Sequence, residues 1–129
     1  MKEVLLKITL LALGGAVGTN ARYWLGRWVA SHEWAQHFPL GTFLINVSGS
    51  IVFAVVAVLC LEKDQTPRHA EWFLLAATGF CGAYTTFSTF EWETFQLIRG
   101  GHWPLALLNV LGSVLAGFIA LTIVVNLLE

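Results

Sequence analysis

Three stretches of this chain carry no Asp, Glu, Lys or Arg: 22 residues from Leu40 to Leu61, 19 from Trp72 to Phe90, and 27 from His102 to Leu128. A helix needs roughly 20 predominantly apolar residues to cross the hydrocarbon of a bilayer, so each stretch has about the length of a membrane span. With 57% hydrophobic and 12% charged residues in 129, and a mean hydropathy of +0.70, too little polar surface remains for an ordinary soluble globule. A formal net charge of −1 and the lack of a basic run give nucleic acid no electrostatic footprint.

The first span is less clean. Lys7 and Arg22 bracket only Ile8 to Ala21, too short for the bilayer core. Extension from Val4 to Ala30 gives the length if Lys7 snorkels and Arg22 faces protein or water. A removable signal peptide is the competing reading, since Lys2 and Lys7 precede an apolar run. Against it, Arg22 and Arg27 follow at once and no long soluble portion is there to be exported. The expectation is therefore an all-α integral membrane protein, one four-helix domain over 1–129, with spans at about 4–30, 40–61, 69–98 and 103–128.

The connections are short. Ser31 to Pro39 forms a loop, with Pro39 suited to a first helical turn because its missing N–H has no intrahelical partner there. Residues 62–68 are the most polar loop, and Gly100-Gly101 is a turn. The six tryptophans fall mostly near segment ends, where indole favours the headgroup region. Orientation is weakly specified. Lys2, Lys7, Lys63 and Arg68 fall on one side, and Arg27 and Arg99 on the other, with Arg22 a turn inside. A bias this weak suits insertion both ways, and one-way insertion is the alternative it leaves open. Four helices this small rarely enclose a pore alone, so a symmetric dimer is expected too. Gly14/Gly18 and Ser113/Gly117 are small-xxx-small pairs, which serve equally for packing within the chain or for a dimer seam. Cys60 and Cys81 lie in apolar segments without metal-ligand spacing and read as buried free thiols.

The chemistry concentrates in Gly79-Phe80-Cys81-Gly82-Ala83-Tyr84-Thr85-Thr86-Phe87-Ser88-Thr89-Phe90. Backbone that leaves the helix at bilayer depth is tolerated only where protein buries it or water reaches it. A break is expected around Gly79 to Thr85. Carbonyls freed near Gly82 and Thr85 need a partner; a water-satisfied kink and a hard cation such as sodium are the two readings, and the residues alone favour water. Asn46 alone fits interhelical glue; with Thr42, Ser113 and the hydroxyls of span three, a lined polar track is the better account. Phe87 and Phe90 share a helix face. Their interleaving with Thr86, Ser88 and Thr89 suits ring edges, which are positive, turned toward an anion. Glu93, one turn on, either organises the far end of the track or marks an interface. Arg22 is an attractor in an aqueous vestibule or half of a structural pair.

Taken together these residues resemble the fluoride channels of the Fluc family, also called CrcB proteins. The similarity covers nearly the whole chain: Gly14-Gly15-Ala16-Val17-Gly18 with Arg22, Pro39-Leu40-Gly41-Thr42 with Asn46, Gly79 to Phe90 with Glu93, and Gly112-Ser113. The resemblance implies an antiparallel, dual-topology homodimer in the cell (inner) membrane, with the third helix broken mid-membrane. It implies two fluoride pores, each lined by both subunits, and passive export of toxic fluoride. It further implies a central structural sodium ion on the backbone carbonyls of Gly82 and Thr85, and a fluoride path along Asn46, Phe87 and Phe90. Thr42, Ser88, Thr89, Ser113 and Glu93 belong to its polar track, and Asn109 stands at a position that varies among relatives. Tyr84 departs from the small residues some relatives carry beside the break.

Two rivals come from other classes. Small proton-coupled multidrug exporters are also four-span, dual-topology dimers, but need an acid inside span one, where this chain has only the terminal Glu3. A non-conducting scaffold has no use for the Gly-Thr-Phe cluster. No nucleophile and base pair suggests an enzyme.

Overall fold

The computed structural model describes residues 1–35, 37–62 and 66–128, all helix, turn or short connection, with no strand among them. Lys63, which the orientation argument counts, lies outside the described residues. Helix α1 spans Lys2–Ala30, and a 3-10 turn at Glu33–Ala35 interrupts the loop that follows. Helix α2 spans Leu40–Ala57 and runs on as Val58–Glu62 with wider turns. Pro39 sits one residue ahead of the first turn rather than in it, and its carbonyl accepts from Phe43 N–H at 3.1 Å.

Helix α3 is assembled without interruption from Pro67–Trp72, Phe73–Cys81 and Gly82–Tyr84. Pro67 opens it behind Thr66, whose side chain accepts from His69 N–H, an N-terminal signal legible in the sequence. Helix α4 is Phe87–Arg99 and α5 is Trp103–Leu128. Gly101 joins them at φ 79°, a left-handed turn conformation that suits glycine.

Three helices, Lys2–Ala30, Leu40–Cys60 and Trp103–Leu128, are each long and apolar enough to cross a membrane. Large apolar side chains such as Leu13, Val17, Leu111, Leu115, Phe118 and Ile123 are exposed along α1 and α5, as lipid-facing helices require. Helix α2 lies at the centre, packing on α5, α3 and α1, and contributes buried Thr42, Ile45, Gly49 and Ala54.

Between α3 and α4 two residues are extended: Thr85 (φ −77°, ψ 161°) and Thr86 (φ −149°, ψ 122°). The sequence places this departure around Gly79 to Thr85, and the structure has it at the far end of that range, at Thr85 and the residue after it, with the glycines still helical. Gly79 lies inside the Phe73–Cys81 run, and Gly82 has φ −61° and ψ −32°, both helical. Gly79 serves proximity instead. A Cβ on it would lie 3.1 Å from Gly14 Cα, and one on Gly14 or Gly18 would collide with the carbonyl oxygens of Leu75 or Phe80. The Gly14/Gly18 pair therefore packs α1 on α3 within one chain. Gly117 likewise faces Ser50 Oγ, which a Cβ would meet at 3.3 Å. Cys60 and Cys81 are free and buried, in agreement with the sequence reading.

Candidate functional site: an extended pair between three hollows

Thr85 and Thr86 have to satisfy four backbone groups outside any regular helix, and side chains from α1 and α2 supply most of the partners. Asn46 on α2 takes both groups of Thr86: its Oδ1 accepts from Thr86 N–H at 2.9 Å and its Nδ2 donates to Thr86 C=O at 3.0 Å. Only a carboxamide matches a donor and an acceptor on one residue this way, and the match fixes which end of the amide is which. Arg22 on α1 donates from Nη1 to Thr85 C=O at 3.2 Å. Thr85 N–H and Oγ1 both return to Cys81 C=O, at 3.0 and 2.9 Å. Thr86 then caps α4, its Oγ1 accepting from Thr89 N–H at 3.2 Å and donating to Thr89 Oγ1 at 3.0 Å.

The residue before the pair is pinned as well. Tyr84 is buried and stacks on Phe80 with centroids 5.3 Å apart and planes 13° apart. Its hydroxyl lies 2.8 Å from Ser48 Oγ, which donates to Leu44 C=O at 2.6 Å. Gly49 makes room for this arrangement, since a Cβ there would run into Thr85 Cγ2 and come within 3.3 Å of Tyr84 Cδ1. Tyr84 thus fits the fold through a hydrogen bond that a small residue does not supply.

Three hollows share the extended pair as a wall. The first, about 440 Å3, is lined by Arg22, Thr42, Thr86, Thr89 and Glu93, with Arg27 also on its border. The second, about 260 Å3, lies among Asn46, Ser50, Thr85, Thr86 and Phe87. The third, about 290 Å3, takes in Gly82 and Thr85 with Gly49, Ser50 and Cys81. Glu93 Oε2 is buried and has no hydrogen-bond partner among the described residues, while the Thr42 hydroxyl bears on the carboxyl group.

Not every candidate converges there. Phe87 borders the second hollow but is 70% exposed, and Phe90, 5.8 Å from it between centroids and tilted by 36°, borders none of the three. Ser88 is exposed and borders none of the three hollows. Asn109 is fully buried, and its Nδ2 donates to Thr94 Oγ1 at 2.8 Å while Ser113 Oγ donates to its Oδ1 at 3.4 Å. Thr94 Oγ1 in turn donates to Phe90 C=O at 2.8 Å, so this network ties α5 to the helix carrying the phenylalanines.

A family pattern described as CrcB-like protein, Camphor Resistance (CrcB), matches residues 9–125. The chain belongs to the CrcB family. Among curated relatives, "Fluoride-specific ion channel FluC" of Solibacter usitatus (strain Ellin6076) is 45% identical over 115 residues, covering 89% of this chain and 92% of the relative. The protein of the same name from Oceanobacillus iheyensis is 41% identical over 110 residues, 85% of this chain and 81% of its own length. A third, from Koribacter versatilis (strain Ellin345), is 43% identical over 103 residues, 80% and 79% of the two chains.

Within this CrcB chain the sequence reading missed Thr94, and it named Thr86 as a polar neighbour of the rings without its role as a cap. That role was recoverable: a threonine immediately ahead of a helix, whose hydroxyl can accept from an N–H of the first turn, is an N-terminal signal. Thr94 was not, because its role comes from Asn109, which the fold delivers from another helix.

Proposed function

We propose that this CrcB chain is a fluoride channel, not an enzyme, working as an antiparallel homodimer with two pores. In this reading it has four spans, the third formed by α3 and α4 in series around the extended pair. The observation that carries the reading is the convergence of Arg22, Thr42, Thr89 and Glu93 on one hollow, walled by backbone that Asn46 holds open. The relatives' printed name, fluoride-specific ion channel, supplies the ion.

A small, strongly hydrated anion crosses a membrane only if donors replace its water without holding it fast. The hydroxyls of Ser88 and Thr89 and the second N–H of the Asn46 amide are donors of that kind, and those of Thr42 and Ser113 join them on turning from Glu93 and Asn109. The edges of Phe87 and Phe90 add weak positive charge. Arg22 raises the local anion concentration in the first hollow, and Glu93 takes up a hydroxyl donor at its far end. Asn109 acts through Thr94, bracing α4 where it carries Phe90.

A structural sodium ion is part of the same proposal. The residues fit it in kind, since hard cations take oxygen ligands. The N–H that would close a helical turn on Gly82 C=O belongs to Thr86, and it donates to Asn46 instead. Thr85 C=O has one lone pair on Arg22 and a second available. Gly82 and Thr85 would hold the ion, and the ion would supply positive charge that fixes two subunits at their junction.

Liposomes loaded with fluoride and reconstituted with the purified protein test the reading. Release of fluoride at channel-like rates with chloride retained is expected. Retention of fluoride by vesicles containing folded protein would sink it.

A further inference from the structure

Of the four backbone groups at the extended pair, three are satisfied from α2 or from α3 itself, and only Thr85 C=O depends on α1. The donor is Arg22, half-buried, with no carboxylate in ion-pair range among the described residues. An arginine whose only task was to attract anions would gain from pointing freely into the hollow. Here its guanidinium is committed to a peptide oxygen 63 residues away in sequence. That bond sits at the first extended residue, so it governs the direction in which the chain turns before α4 begins. Everything the pathway takes from α4 (Phe87, Ser88, Thr89, Phe90 and Glu93) lies downstream of that turn.

We infer that Arg22 is a positioning residue: its fixed bond to Thr85 C=O sets the placement of α4, and through it the rate at which each pore conducts. This rests on the fluoride-channel reading above. The planar guanidinium presents donors in a rigid fork, whereas the ammonium of lysine is a point charge on a flexible stem. Charge and placement are therefore separable. Arg22→Lys keeps the first and loses the second; Arg22→Gln loses the charge as well.

The experiment measures fluoride release from sparsely reconstituted liposomes, where the fraction of vesicles that empties counts working channels and the emptying time of those vesicles gives the rate per channel. Both variants are run at low and high ionic strength beside the unaltered protein. Arg22→Lys is expected to slow the rate per channel roughly tenfold or more, the scale of one charged hydrogen bond, equally at both salt concentrations. A wild-type rate in Arg22→Lys overturns the inference. So does a deficit found in Arg22→Gln alone and only at low salt, which is the mark of a screened attractor, or a fall in working fraction with the rate unchanged.

Amide hydrogen exchange keeps the inference testable apart from transport. The Thr86 and Thr89 amides, bonded to Asn46 and to the Thr86 hydroxyl, are expected to exchange faster in folded Arg22→Lys than in the unaltered protein; equal protection overturns the positioning role. If the unaltered protein releases no fluoride, the channel reading fails, and exchange still decides what Arg22 holds.

Discussion

At the scale of single residues, the molecule uses polar side chains mainly to satisfy its own backbone. Thr9, Asn20, Ser50, Thr94, Thr122 and Asn126 return to a carbonyl one turn earlier, so a hydroxyl in a span is no pore residue by itself. Tyr84 and Ser48 are different because they bond across helices. Ser48→Ala leaves the buried Tyr84 hydroxyl without that partner and is expected to cost about 1–3 kcal/mol, whereas Tyr84→Phe leaves Ser48 on Leu44 C=O and costs about 0.5–1.5 kcal/mol. The double substitution is expected to be milder than the sum, as thermal unfolding in detergent would show. Glycines divide the same way. Gly14→Ala forces a methyl into backbone of α3 and is expected to destabilise by at least about 1–3 kcal/mol, while Gly15→Ala, with open space around it inside a helix, is expected to stabilise by up to about 1 kcal/mol.

At the scale of elements, Phe87→Ile and Phe90→Ile are expected to suppress fluoride flux while leaving the chain folded, because the rings decorate α4 without supporting the core. Wild-type flux in both would remove the aromatic edges from the mechanism. The helices themselves were largely legible: charge-free runs gave α2 and α5 almost to their ends, while α3 begins at Pro67, two residues ahead of the expected His69. The position of the extended pair was legible only in part. Gly79 and Gly82 spread the expectation over Gly79 to Thr85, of which only Thr85 is extended, since glycine signals freedom and proximity alike, and here Gly79 answers to proximity. What decides the position is Asn46, 40 residues distant from Thr86. No local pattern reports a bond of that range. The candidate site was legible as a set of residue types, and its division among three hollows and the Asn109 network was a matter of packing.

At the scale of the whole molecule, the proposed dimer can be tested at Gly82. A Cβ on Gly82 meets nothing within 4 Å in the single chain, although Gly82 borders a hollow beside the extended pair. If a second copy closes on that face, Gly82→Leu is expected to shift purified protein from dimer toward monomer in size-exclusion chromatography with light scattering. An unchanged mass would remove the junction from that face. The bond network has one more consequence. Arg22 and Asn46 belong to the half of the chain ending with α2, and the threonines they grip belong to the half beginning with α3; α1 packs on α3 and α2 on α5. Neither half is complete without the other. A gene severed between Glu62 and Thr66 is therefore expected to yield two fragments that recombine when made in the same cell, like the parts of a dovetail.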